Sequence, residues 1–87
     1  MAYNFNVQLK TPKYTVEVDT KENYGYFEHV DYGEERGGGL WFQTVPGSED
    51  GRYDRRELID YDGVTHLPKQ VAKALREAGF LVNETFD

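Results

Sequence analysis

Apolar and polar residues alternate over 3–10, with Tyr3, Phe5, Val7 and Leu9 set against Asn4, Asn6, Gln8 and Lys10. That is the period of a strand with one wet face. After Thr11-Pro12 the alternation resumes as Tyr14, Val16 and Val18 against Thr15, Glu17 and Asp19. Pairing Leu9 with Tyr14 puts Val7 opposite Val16 and Phe5 opposite Val18, so the pattern predicts a hairpin with one apolar face. A slip of one residue would turn all of these side chains to water. On the other face Gln8 meets Thr15 and Asn6 meets Glu17, and both pairs stay solvated.

Lys21-Glu22-Asn23 is a turn signal. YGYFEHV (24–30) and LWFQTV (40–45) predict a third and a fourth strand, rich in aromatic and β-branched residues. Their connection, DYGEERGGG, is long for a hairpin, and its three glycines at 37–39 predict a mobile loop. A second loop, PGSEDG (46–51), consists almost wholly of turn residues.

Further on, Asp62-Gly63 separates the runs 58–61 and 64–67, which suits a two-residue turn with positive φ angles. Tyr61 would then face Val64, and Ile59 would face His66. A helix follows. Pro68 suits its first turn, and Val71, Ala74, Leu75 and Ala78 form an apolar stripe at helical spacing. Gly79 fits the left-handed position after the helix, with Phe80 folding back on Leu75. Residues 80–82 read as a short extended segment. The expected fold is α+β: an antiparallel sheet of four to five short strands packed against one C-terminal amphipathic helix. It forms a single domain over 1–87, with an N-terminal hairpin (1–20), central strands (24–45) and a hairpin plus helix (57–82).

Composition narrows the options. Tyr 7, Phe 5 and Trp 1 supply bulky groups to bury, which separates the chain from disordered ones. No run approaches the ~18 apolar residues of a membrane span. MAYNFNVQLK lacks the basic start and apolar stretch of a secretory signal. Cys 0 excludes disulfides, thiol catalysis and zinc–thiolate sites. A cytoplasmic protein is the expectation.

The net charge of −6 is local in origin. Residues 17–62 hold thirteen acids and five bases, whereas 1–16 carry only Lys10 and Lys13, and 63–87 balance. Nucleic-acid backbone needs clustered Lys and Arg, so this distribution weighs against binding it. It permits a basic protein partner. Solubility alone is the competing explanation.

Catalytic chemistry finds little support. Residues 46–57 place Gly51 and Glu57 at calcium-loop positions, but the first ligand position is Pro46. Two histidines, His29 and His66, do not make a zinc site, and the predicted register puts His66 and Asp60 on opposite faces. Partly buried histidine satisfied by a backbone carbonyl is the expectation. Ser48 is the only serine and sits in a loop. Gly37–Gly39 precedes no helix, so it does not cradle phosphate. No catalytic residue, metal or cofactor is assigned.

Two surface patterns remain. Lys69, Lys73 and Arg76 form a basic stripe on the helix, opposite the apolar one. Tyr24, Tyr26, Tyr32, Tyr53 and Tyr61 are interleaved with carboxylates throughout the acidic segment. Tyrosine offers large contact area with few rotors to freeze, and carboxylates beside it pair with arginine on a partner. The candidate partner-binding set is Glu28, Asp31, Tyr32, Glu34, Glu35, Glu49, Asp50, Tyr53 and Asp54. Half-buried sheet tyrosines that merely bridge core and water are the alternative.

This short, acidic, cysteine-free, tyrosine-rich composition is similar to that of small accessory proteins carried by bacteriophages and mobile elements. The resemblance implies inhibition of a host nucleic-acid-binding protein by carboxylate mimicry. It is one of composition and transfers no residue roles. The expected function is therefore a non-catalytic acidic module that binds a basic protein surface, with no direct nucleic acid or membrane contact. A homo-oligomeric assembly protein is the alternative, and a small enzyme using carboxylate acid/base chemistry is a third reading.

Overall fold

The computed structural model describes residues 2–46 and 54–83, with only the backbone of Asp54. Five strands, β1 (Val7–Lys10), β2 (Tyr14–Asp19), β3 (Tyr24–His29), β4 (Gly33–Pro46) and β5 (Asp54–Tyr61), are followed by one short helix, α1 (Lys69–Glu77). The strands form an antiparallel meander in the order β1-β2-β3-β4-β5. The sheet-plus-helix class expected from the sequence is the class observed.

The inner face of the sheet is apolar. Val16, Val18, Phe27 and Leu40 are completely buried, together with Val71 and Leu75 of α1 and Leu67 just before it. Ala72 is buried beside them and Ala78 is exposed, so the covered side of the helix is rotated from the predicted stripe. The helix ends as its sequence requires. Gly79 has φ +98°, Phe80 N–H bonds Leu75 O (2.9 Å) and Gly79 N–H bonds Arg76 O (3.0 Å). Those two bonds are the Schellman pair, and the buried Phe80 ring then packs on Phe42, 5.1 Å between centroids. Beyond it, Leu81 bridges in parallel to Glu57, which covers part of the β5 edge. Arg76 holds this segment through two bonds to Val82 O (3.0 and 2.8 Å), so one member of the basic stripe is used inside the fold.

Four local expectations are corrected. In the first hairpin Leu9 pairs with Val16 and Val7 with Val18, a shift of two residues from the predicted register. The turn moves one residue on, to Pro12-Lys13, because Thr11 closes it: its N–H reaches Tyr14 O (2.8 Å) and its hydroxyl accepts Tyr14 N–H (2.9 Å). A shift of two preserves parity, so Val7 and Leu9 keep their face.

Tyr3 and Phe5 do not share that face. Asn6 N–H turns back to Asn4 O (2.8 Å), the Asn6 side chain pairs with Thr20, and Asn4 N–H bonds Asp19 Oδ2 (2.8 Å). These bonds carry residues 3–5 around the end of β2, onto the opposite face of the sheet.

The glycine run is likewise not a loop. Gly37–Gly39 lie within β4, whose pairing with β3 reaches from Trp41 down to Gly33. The β3–β4 connection is only Val30-Asp31-Tyr32, and Asp31 N–H donates to Nδ1 of the buried His29 (3.0 Å). That histidine thus accepts a backbone N–H, where donation to a carbonyl was expected. Finally, Asp62-Gly63 does not join two strands. Asp62 instead lies across β4, taking Gly39 N–H on Oδ1 (2.6 Å), and 64–67 lead without a strand into α1.

Asp19 organises the turn after β2. It is 3% exposed, and its carboxylate accepts N–H groups from Glu22, Asn4 and Lys21. The bond from Glu22, then that from Asn4, hold its pKa below the ordinary 3.8, against burial, which pushes it up. A depressed carboxyl contributes stability that is complete above the unfolded value and lost as pH falls through the folded one. Asp19→Asn, which presents an amide to one of these donors, is expected to destabilise by about 1–3 kcal/mol at neutral pH. Urea denaturation of the two proteins should converge as the pH drops below about 4.

Candidate functional site

The strand parity of YGYF sends Tyr24 and Tyr26 to the outer face and Gly25 and Phe27 to the inner one. Register then places Trp41 opposite Tyr24, and Gly39 opposite Tyr26. Because Gly39 has no side chain, the Trp41 indole folds back over it, 2.7 Å from where a Cβ would stand. Tyr3 and Phe5 arrive from the N-terminal segment. The result is a contiguous cluster: Tyr3–Tyr24 at 4.8 Å between centroids, Phe5–Tyr26 at 5.1 Å, Tyr24–Trp41 at 5.6 Å and Tyr3–Phe5 at 5.7 Å. These separations are those of ring pairs in cores. Yet Tyr3 is 50% and Trp41 36% exposed, and among the described residues no helix or strand lies over them.

Carboxylates edge the cluster. Glu17 sits opposite Tyr26 and accepts its phenolic hydrogen bond, while Asp60 sits opposite Trp41. Glu28 continues the same face of β3. The bond to Glu17, with burial and then the charges of Glu17 and Glu28, pushes the Tyr26 phenol up to about 12 from its ordinary 10.0. A raised pKa contributes stability that is present below about pH 10 and lost as pH rises through 12. Absorbance titration should therefore show the Tyr26 phenol ionising late, and Glu17→Gln should bring it back toward 10.

Between the rings and the start of β4 lies an open groove of about 360 Å³, lined by Tyr24, Tyr26, Glu28, Glu34, Asp62 and the glycine backbone of 37–39. Among the described residues Glu28 and Glu34 have no hydrogen-bond or ion-pair partner. Arg56, which could have neutralised this face, is turned to Thr20 O (2.8 Å) and Asn23 Oδ1 (3.2 Å).

Of the nine residues proposed from the sequence, the six that the structure describes do not form one patch. Glu28 and Glu34 meet in the groove. Asp31 and Tyr32 form the exposed β3–β4 turn, where Tyr32 is sandwiched between His29 (4.9 Å between centroids) and the Arg36 guanidinium (4.0 Å). Glu35 lines a different cleft with Arg36, His66 and Lys69. Asp54 pairs with Pro46 at the far end of β4 from Glu34, about 40 Å away along the strand at ~3.3 Å per residue. Glu49, Asp50 and Tyr53 lie outside the described residues, as does nearly all of the 46–51 loop. Tyr3, Phe5, Glu17, Tyr24, Tyr26, Trp41 and Asp62 are not in that set, although Tyr24 and Tyr26 belong to the tyrosines noted among the carboxylates. Trp41 was legible as the outward member of Leu40-Trp41-Phe42; Tyr3 and Phe5 were not.

Among the described residues no group of three or more His, Asp or Glu is placed to hold a metal ion, and no helix is long and apolar enough to cross a membrane. No family model matches the chain, and no curated protein or solved structure is significantly similar to it.

Proposed function

We propose that the protein is a non-catalytic binding module that docks a basic surface of another protein on the outer face of its sheet. The observation that supports this most is the five-ring cluster, half-buried at Phe5, Tyr24 and Tyr26 and exposed at Tyr3 and Trp41, edged by carboxylates. Exposed apolar patches of this kind mark interaction sites, aromatic rings are enriched there, and their faces attract cations. The carboxylates give the face its sign. A cytoplasmic setting and an accessory role that occludes a host nucleic-acid-binding protein go with this reading.

Stacked rings on a sheet are also how single-stranded nucleic acid is held, but such platforms sit in basic grooves. A titration followed by backbone amide shifts separates the two. Poly-L-lysine should perturb β3 and β4 around Tyr24, Tyr26 and Trp41, less so as salt screens the charges, and an oligothymidylate should leave them unmoved. The reverse result overturns the proposal. Concentration-dependent shifts of the same amides without any ligand would instead favour the homo-oligomer.

A further inference from the structure

We infer that the groove over Gly37–Gly39 is an arginine-binding site, in which a partner's guanidinium stacks on the Tyr24/Tyr26 rings and pairs with Glu28 and Glu34. The inference rests on the proposed docking face and specifies the side chain that enters it. The first ground is charge: Glu28, Glu34 and Asp62 line the groove and no base does. One Asp62 oxygen is already committed to Gly39 N–H, but the carboxylates of Glu28 and Glu34 are unpartnered among the described residues.

The second ground is shape. The Tyr24 and Tyr26 phenol rings wall the groove above the β4 backbone, and the Trp41 indole covers Gly39 beside them. A planar, weakly hydrated guanidinium lies against such surfaces and presents a fork of donors to two carboxylates at once. A lysine ammonium is a compact, strongly hydrated point charge that uses neither the backbone nor the ring faces in that way. The molecule itself contains the same chemistry, with Arg36 seated over the Tyr32 ring at 4.0 Å.

Three Gly/Ser peptides, identical except for three arginines, three lysines or three citrullines, test this by amide shifts and by the fluorescence of Trp41, the single tryptophan. The arginine peptide should bind at least fivefold more tightly than the lysine peptide, and citrulline should not bind. The double variant Glu28→Gln/Glu34→Gln should lose about tenfold for arginine. Glu35→Gln, in the other cleft, should change nothing. Equal binding of arginine and lysine at these amides overturns the arginine site and leaves the docking face standing. Citrulline binding as well as arginine, or no perturbation of the face by any peptide, overturns both. Amide spectra of the free variants establish that each is folded.

Discussion

Gly38→Ala should destabilise the protein by about 3 kcal/mol or more, at the upper end of what overpacking costs. A Cβ on Gly38 would be driven into the Asp62 carbonyl oxygen, with the Asp62 side chain 3.0 Å away. Neither can simply swing aside. Asp62 N–H bonds Gly39 O (3.2 Å) and Asp62 Oδ1 accepts Gly39 N–H (2.6 Å), so the obstructing atoms belong to backbone pinned at two points. Relief requires moving β4 away from the segment that leads into α1. Gly79→Ala is the internal comparison. It carries positive φ but nothing lies within 4 Å of its Cβ position, so only the left-handed penalty of about 1–2 kcal/mol applies. Chemical denaturation of both variants checks the ordering; a Gly38→Ala protein as stable as the parent would mean that Asp62 does not lie against β4.

The glycine run also marks where local patterning stops being informative. Three consecutive glycines have no strand propensity and read as a loop. What makes them a strand is the approach of other segments: Gly37 to the Phe27 carbonyl, Gly38 to Asp62, Gly39 to the Trp41 indole. Phe27 and Asp62 are distant in sequence, and Trp41, two residues on, reaches Gly39 only once strand geometry puts both on one face. The same holds at residues 3–5, where alternation continues unbroken through Asn6 while long-range bonds from Asn4 and Asn6 to Asp19 and Thr20 reverse the face. By contrast, Val16, Val18 and the Gly79-Phe80 stop were legible because period and capping are local properties. The candidate site divides along the same line. Glu28 and Glu34 could be named from charge alone, but the rings that make a groove of them come together only through β3–β4 pairing and the N-terminal wrap. Glu35 was named by the same logic and lands in another cleft.

Phe27→Ala should remove a large share of the fold's stability, whereas Trp41→Ala should leave the fold intact and remove the binding face. Phe27 is fully buried beneath the centre of the sheet, with Val16 as its strand partner and the Tyr14 ring edge-on at 6.2 Å. Truncating such a side chain removes its burial and leaves a cavity, about 3–5 kcal/mol in all. A domain of this size has roughly 0.1 kcal/mol per residue in total, so that single loss is a large share of what holds the chain folded. Trp41 packs mainly on Tyr24 and over Gly39 and is 36% exposed, so its removal should cost about 2–3 kcal/mol, partial burial of the indole plus one aromatic pair, which the fold survives. The inference from this contrast is that a single sheet serves two purposes on its two faces: Phe27 and Leu40 hold α1 beneath it, while Tyr26 and Trp41, their neighbours in sequence, present rings to solvent. Thermal denaturation reads the first loss and the arginine-peptide titration the second. If Trp41→Ala bound that peptide with unchanged affinity while Phe27→Ala lost its stability, the rings would be surface packing, and the binding site would have to be sought elsewhere.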